Sequence, residues 1–507
     1  MELRVVSSRP CRTFRSFLMM SLLMLAVPMC GCLPGLKVMA PALALIHYTQ
    51  AIADYINQDY DQALLKADQA IALNPNYAEA YSLRGLIHMA MGECEQAIAD
   101  YDRAISLRPD SAQTYMYRGQ AYQCCKNDPD RAIADFDRAI QLDSDNVEAY
   151  ISRGLAYVQK GEYAQAVADY SEAIGLRPGY AEAYYRRGAA WYLLGEYERA
   201  IADESEAIHL HPDFAEAYSD RGLAYAALGL YDQAVADYSK AIELKSEGPG
   251  VDLLIYRGDA YLALGDYERA MADYEQAISL EPDNAEVYLR HGRLYHYQEN
   301  YDQAISDYSR AIQLQPTLAE AYHHRGIAWH MKGDYERALA DYDQAIRLKP
   351  NYAEAYSDRG LTWYVKGDYD RALIDLDKAI QLKPEDAESY YRRGMVYAAK
   401  DDPDRAWADY DQAIRLRPDY AEAYVGRGNV YFIRQDWDHA LADYQQAIAL
   451  KPDLVEAYLN RGLVYSQMGE EEKAIADFQK VLELTDDPTW RRIAEEELRK
   501  RIPGRHP

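Results

Sequence analysis

The sequence predicts an all-α fold, a solenoid of antiparallel helix pairs, and three observations predict it. First, the doublet Arg84-Gly85 returns as Arg118-Gly119, Arg153-Gly154 and Arg187-Gly188 and continues to Arg461-Gly462, almost always 34 residues apart. A fixed period of this size marks a chain in which one unit is copied and each copy buries its apolar face against its neighbours. Second, within one copy, 181–214, small and apolar residues recur at spacings of one, three and four in two stretches, divided by Gly195 and closed by Pro212. That is the period of two short helices and a turn. Third, counting from Ala44, thirteen such copies run to about residue 487, close to nine tenths of the chain.

In the sample copy, Ala183, Tyr184, Arg187, Gly188 and Trp191 share one face of the first helix. The second helix starts near Tyr197, carries Ala200, Ile201, Ala207 and Ile208 on its inner stripe, and ends before Pro212, which cannot continue it. The pattern of a large residue at position 4, Gly or Ala at 8, an aromatic at 11 and 24, Ala at 20 and 27, and Pro at 32 resembles the tetratricopeptide repeat. Tyr81, Gly85, Ala97, Tyr101, Ala104 and Pro109 show it in the second copy. The resemblance implies a right-handed superhelical solenoid of about thirteen repeats over 44–487. A C-terminal capping helix at 488–502 and a tail at 503–507 follow. Gly at position 8 is expected where the two helices cross and a Cβ would push them apart. Ala51 replaces it in the first repeat. The charged residues of the last helix are expected to face water, as the end of a solenoid requires.

Two repeats depart in length. One residue is added around Asn127-Asp128-Pro129 and two near Ser246-Glu247-Gly248-Pro249-Gly250. The segment 245–251 reads either as a hinge or as a tolerated loop insertion.

Arg at position 7 is accompanied by Asp at position 23. Twelve Asp, from Asp100 to Asp477, match eleven Arg plus His291, and in the first repeat both are lost together, to Gln50 and Lys66. This predicts an internal ladder, each Arg reaching an Asp on a second helix of its own or a neighbouring repeat. Such arginines are structural, because a paired guanidinium is not free to bind a ligand.

Residues 1–32 read as a signal. Arg4, Arg9, Arg12 and Arg15 precede the apolar run Phe17 to Val27, which as a helix rises only about 17 Å, too little to span a bilayer. The exit Met29-Cys30-Gly31-Cys32 resembles a bacterial lipoprotein signal, with Cys32 as the acceptor because it follows Gly31. Lipidation at Cys32, ordinary cleavage, an uncleaved leader and a misassigned start stay open. All but the last give an exported protein of the cell envelope, membrane-associated through its N-terminus only. Residues 33–43 read as a linker. Of the other cysteines, Cys94 is able to pair with Cys124 or Cys125 in an oxidising compartment, although plain structural thiols are the favoured reading.

The chain has 507 residues with 55 Lys plus Arg against 82 Asp plus Glu. Residues 1–40 hold five bases and one acid, so the remaining 50 bases and 81 acids leave −31. Such a field repels nucleic acid and anionic lipid and favours basic proteins; it also keeps a long surface soluble. Tyr occurs 48 times against six Phe and six Trp, mostly at fixed places in the repeat, where the ring packs and the hydroxyl reaches a rim.

The resemblance assigns ligand contact to positions 2, 5, 9, 12 and 13 of the first helices, which line a groove. Position 2 is acidic in eleven of twelve repeats, with Gln113 the exception. This is either a carboxylate row for a basic or polar partner segment, or acids serving the helix dipole. The most distinctive stretch is 289–331, with Leu289, Arg293, His296, Tyr297, His323, Ile327, His330 and Met331; His291 and His324 complete a group holding five of the eleven histidines. It reads as a hot spot for a protein partner, as a site for a metal or small ligand, or as chance variation. Tyr192, Tyr364, Tyr391 and Phe432 are further candidates for partner contact. Glu204 replaces the aromatic at position 24, and burial there would raise its carboxyl pKa.

No phosphate-cradling Gly loop, nucleophile elbow or metal-ligand spacing occurs, so the sequence reads as no enzyme and calls for no cofactor or metal. A scaffold that gathers protein or peptide partners is the favoured function. A metal or small-ligand binder at 289–331 and a self-assembling component of an envelope complex are the alternatives.

Overall fold

The computed structural model describes residues 36–245, 248 and 250–501. They form thirteen helical hairpins and a final helix, with no strand among the described residues. Two compact units divide the chain, Met1–Asp273 and Tyr274–Pro507. None of the described helices is long and apolar enough to cross a membrane. The leader with Cys32, the tail 503–507 and most of the inserted loop (246, 247 and 249) lie outside the described residues.

Each hairpin follows from a few local choices. Most second helices open on an Asp or Asn whose side chain accepts a backbone N–H that the helix leaves unpaired, as Asp334 does from Arg337 at 3.2 Å. First helices commonly end on a left-handed residue such as Gly92, at φ 81°. Alanines at positions 3, 20 and 27, such as Ala80, Ala97 and Ala104, are buried and let the helices close up. Gly85 marks the crossing: a Cβ there would stand 2.6 Å from Cε1 of Tyr101. In the first repeat, Ala51 takes the place of that Gly and Ala67 that of the Tyr, and both are buried.

Four details differ from the sequence reading. The first helix runs Leu36–Ile56, taking in most of the expected linker. Pro41 lies in its second turn and removes only the bond to the carbonyl of Lys37, so it ends nothing. The residue added before Pro129 is absorbed upstream of the turn. The helix Ala112–Ala121 passes into a π-helical turn, Tyr122–Lys126, and Asn127 takes a left-handed φ of 51°. That turn brings Cys125 against Cys94 at the start of the neighbouring second helix, and the two form a disulfide across a Cα separation of 5.9 Å. Cys94 and Cys125 are therefore not plain structural thiols. Finally, the capping helix is Pro488–Arg501, started by Asp487, whose carboxylate accepts the Thr489 N–H at 2.7 Å. Its Ala494, Trp490, Ile493 and Leu498 cover the cluster around Phe478, but Arg501 does not face water. It bridges Glu471 at 3.0 Å and Glu497 at 2.6 Å and lies over the Phe478 ring.

Candidate functional site

Every arginine at position 7 grips an aspartate of its own repeat. Arg84 donates from Nε to Oδ2 of Asp100 at 2.8 Å and from Nη2 to Oδ1 at 2.6 Å. The same fork recurs from Arg118 on Asp135 to Arg461 on Asp477. His291 stands in, with Nδ1 2.9 Å from Oδ2 of Asp307. The aspartates are buried, and burial pushes the carboxyls of Asp135, Asp169, Asp375 and Asp409 up despite the opposing pull of their arginines. A second arm escaped the sequence reading. In ten of the eleven, Nη1 reaches position 25 of the preceding repeat, which is Asp68, Asp102, Asp137, Asp343, Asp377 or Asp411, or else Ser171, Ser205, Ser239 or Ser309. Alternation between Asp and Ser hid this arm from a count of charges. Across the inserted loop the arm persists, Arg257 to Ser239 at 3.1 Å.

The histidines of 289–331 sit in different surroundings. His323 is buried. Its Nε2 lies 2.8 Å from Oδ2 of Asp358, and the Tyr352 hydroxyl lies 2.9 Å from its Nδ1. Arg392 donates to the other Asp358 oxygen at 2.7 Å and to Ser357 at 3.0 Å. Burial opposes ionisation of Asp358, yet His323 and Arg392 bring its carboxyl down to about 2. His324 stacks on Tyr308 with centroids 5.8 Å apart, and burial with the charges of His323 and Arg293 brings it down to about 3. His330 meets Thr362 at 2.8 Å, while burial lowers the pKa values of both His296 and His330. Among the described residues no three His, Cys, Asp or Glu side chains are gathered as a metal site.

Burial sorts the other candidates. Leu289 is 1% exposed and belongs to the core between repeats, as does His323; position 5 points at the next repeat and not into a groove. Tyr391 packs the same way on Tyr410 and Tyr420, with centroids 5.8 and 4.9 Å away. Position 12 clamps the turn. Tyr192, His296, His330, Tyr364 and Phe432 lie against Tyr197, Tyr301, Tyr335, Tyr369 and Trp437, with centroids 5.2 to 5.9 Å apart. Arg293 and Ile327, at position 9, are half-buried. The surface that solvent reaches is position 13. Tyr297 and Met331 are each 55% exposed, and Val365 at 45% and Ile433 at 65%, which the sequence reading passed over, extend the row within the second compact unit.

The acids at position 2 are not a bare carboxylate row. Glu79, Glu148, Glu354 and Glu422 pair with Arg108, Arg177, Lys383 and Lys451 at 2.5 to 3.2 Å, and Glu182, Glu286 and Glu388 with Arg186, Arg290 and Arg392 at 2.5 to 3.1 Å. The expectation of an open acidic edge therefore fails at these seven. Glu204 is the exception within the core. It is 1% exposed, neither of its carboxylate oxygens has a partner, and burial first, then the charges of Asp220 and Asp203, pushes its pKa well up.

Thirteen hairpins, eleven of them tied by an Arg–Asp fork and most closed by a glycine against an aromatic ring, define a helical-repeat protein. Profiles described as TPR repeat match 85–123, 126–161, 154–195, 190–229, 258–298, 292–333, 402–432 and 428–469, and profiles described as tetratricopeptide repeat match 215–247, 325–391 and 455–485. The chain belongs to the tetratricopeptide repeat family. This is the architecture of a protein-interaction scaffold. No curated protein matches the sequence. Among solved structures, the chain is similar to one titled as the APC/C hetero-tetramer Cut9-Hcn1, at 14% identity over 90% of this chain and 96% of that one, TM-score 0.46. Yeast Tom70 is similar at 17% identity over 89% and 99%, TM-score 0.43. A tetratricopeptide repeat protein of Parabacteroides merdae is similar at 21% over 49% and 98%, TM-score 0.42.

Proposed function

We propose that the protein is a non-enzymatic scaffold of the cell envelope that holds partner proteins through basic or polar segments, and that its N-terminus alone associates with the membrane. The observation that carries the binding surface is the row Tyr297, Met331, Val365 and Ile433, four large apolar side chains left in water at the same place of their repeats. Around it the net charge of the array favours cationic partners and rejects nucleic acid. Export is supported by the leader sequence and by the Cys94–Cys125 disulfide, which persists in oxidising compartments.

Capture from an envelope extract on the immobilised protein, at low and at high salt, tests the reading. Partners should be retained at low salt and released as salt rises. Retention unchanged by salt would remove the acidic surface as the reason for binding, and cofractionation of the intact protein with the cytosol would remove the envelope.

A further inference from the structure

Three of the four buried carboxylate oxygens without a hydrogen-bond partner among the described residues lie together, on Glu204 (Oε1 and Oε2) and Asp220 (Oδ2); the fourth, on Asp307, stands beside His291. Native proteins leave few buried polar atoms unsatisfied, so three in one place need a reason. Glu204 occupies the slot that Tyr170 and Tyr238 fill in the flanking repeats, and its Oε1 would stand 2.5 Å from a Cβ on Gly188. A Tyr there would bury a ring without a charge; the Glu replaces it with a group that costs free energy.

The second compact unit holds an internal precedent for what such a group takes. Asp358 and Asp220 occupy the same position of their repeats. One oxygen of each is met by position 5 of the repeat before, His323 or Tyr185. The other oxygen of Asp358 receives Nη1 of Arg392, from the repeat after, at 2.7 Å. Beside Asp220 that place belongs to Tyr256, and Oδ2 has no partner. The neighbouring charges are already engaged or negative. Asp203 is held by Arg187 and Arg221 by Asp237, each at 2.7 Å, Glu182 by Arg186 at 2.5 Å, and Glu216 adds to the negative field.

We propose that Glu204 and Asp220 form a receptor for one cationic side chain, an arginine or lysine of a partner protein, entering past Ala189 and set beside Tyr185 and Tyr192. An ammonium brings three N–H donors and a guanidinium five, enough for the three acceptors. The rings add a cation–π contribution. Ala189 is half-buried on the first helix and smaller than Leu155 and Leu223 at the same place in the flanking repeats. Burial raises both carboxyls, Asp220 to about 7, so the cation displaces protons as it binds, and binding strengthens as pH rises through 7.

This rests on the scaffold reading but is tested apart from it. The probes are blocked single residues, Nα-acetyl-arginine methylamide and its lysine counterpart, with the citrulline counterpart as the uncharged isostere. Titration calorimetry should give saturable binding of one or both cations with a Kd on the order of 1 mM, as suits so small a ligand. Citrulline should bind at least tenfold more weakly. Glu204→Tyr, which restores the residue of the flanking repeats, and Asp220→Asn should each weaken cation binding at least tenfold, while Glu268→Gln, an exposed charge control, leaves it unchanged. Equal binding of arginine and citrulline, equal binding by the wild type and Glu204→Tyr, or no saturable binding of either cation overturns the receptor. If it falls while envelope partners are still captured, the scaffold stands; if it holds while nothing is captured, the scaffold falls alone.

Discussion

Arg359 and Asp375 face each other through two parallel hydrogen bonds, Nε to Oδ2 at 2.8 Å and Nη2 to Oδ1 at 2.6 Å, while Nη1 reaches Asp343 of the preceding repeat at 2.5 Å. One guanidinium thus ties the two helices of a hairpin and the hairpin to its neighbour. Removing one side leaves a half-buried charge uncompensated, so Asp375→Ala is expected to cost about 3 kcal/mol and Arg359→Lys, which loses the fork, about 2 kcal/mol. Because a repeat array opens locally, amide exchange over 353–382 is the measurement. Exchange no faster than in the wild type would reduce the ladder to surface decoration.

Gly85 and Gly92 are predicted to fail for different reasons. A Cβ on Gly85 meets the Tyr101 ring at 2.6 Å, so Gly85→Ala should cost about 1–3 kcal/mol. Around Gly92 nothing lies within 4 Å, but its φ of 81° is strained for Ala, and Gly92→Ala should cost about 1 kcal/mol. In a Tyr101→Ala background the cost of Gly85→Ala should vanish, as the Ala51 and Ala67 pair of the first repeat implies, while that of Gly92→Ala should persist. Thermal unfolding of the two glycine variants, Tyr101→Ala and the two double variants separates the two causes.

That first repeat also shows what the sequence can tell. Hairpins, crossing glycines and the Arg–Asp fork were legible because each recurs at a fixed place of the repeat, and in the first repeat Gly goes with its ring and Arg with its Asp. The candidate surface was less legible. Positions 12 and 13 are adjacent in sequence but about 100° apart around a helix, and only the packed turn decides that Tyr364 clamps Tyr369 while Val365 meets water. Leu289 and His323 look like groove residues until the next repeat covers them. The Cys94–Cys125 pairing needed the π-helical turn, which spacing alone does not reveal.

Asp220 should make stability fall as pH rises. Its carboxyl is raised from 3.8 to about 7, by burial first, with the nearby charge of Glu216 adding and the Tyr185 hydrogen bond opposing. A raised folded-state pKa means that its full contribution to stability is present below about pH 4 and is lost as pH climbs through 7. Asp220→Asn should flatten that slope and gain on the order of 2 kcal/mol at pH 8. Glu204→Tyr should stabilise at neutral pH for the same reason. Unfolding midpoints of wild type and Asp220→Asn at pH 5 and pH 8 check the sign, and parallel pH dependence in the two proteins would contradict it.

Asp358 carries the opposite sign. Its carboxyl is held at about 2 because His323 and Arg392 outweigh burial, so its stability contribution is present above about pH 4 and disappears as pH falls through 2. Asp358→Ala leaves Arg392 and His323 facing each other without their shared anion and is expected to cost about 3–5 kcal/mol at pH 7. The loss should spread over the three repeats that the network joins, seen as faster amide exchange across 319–416. Protection lost only within 353–382 would show that the network does not couple repeats.

Replacing Tyr297, Met331, Val365 and Ile433 together with Ser separates binding from folding. All four are 45% exposed or more, so each change should alter stability by no more than about 0.5 kcal/mol. Partner capture should instead fall at least tenfold at low salt, because the interface needs its desolvated apolar anchor as well as the charge that salt screens. The combined charge variant Glu216→Gln with Glu320→Gln should leave captured material on the row but reduce its salt dependence. An unfolded quadruple variant would mean that the row is packed rather than presented, and full capture by a folded one would move the binding surface elsewhere on the array.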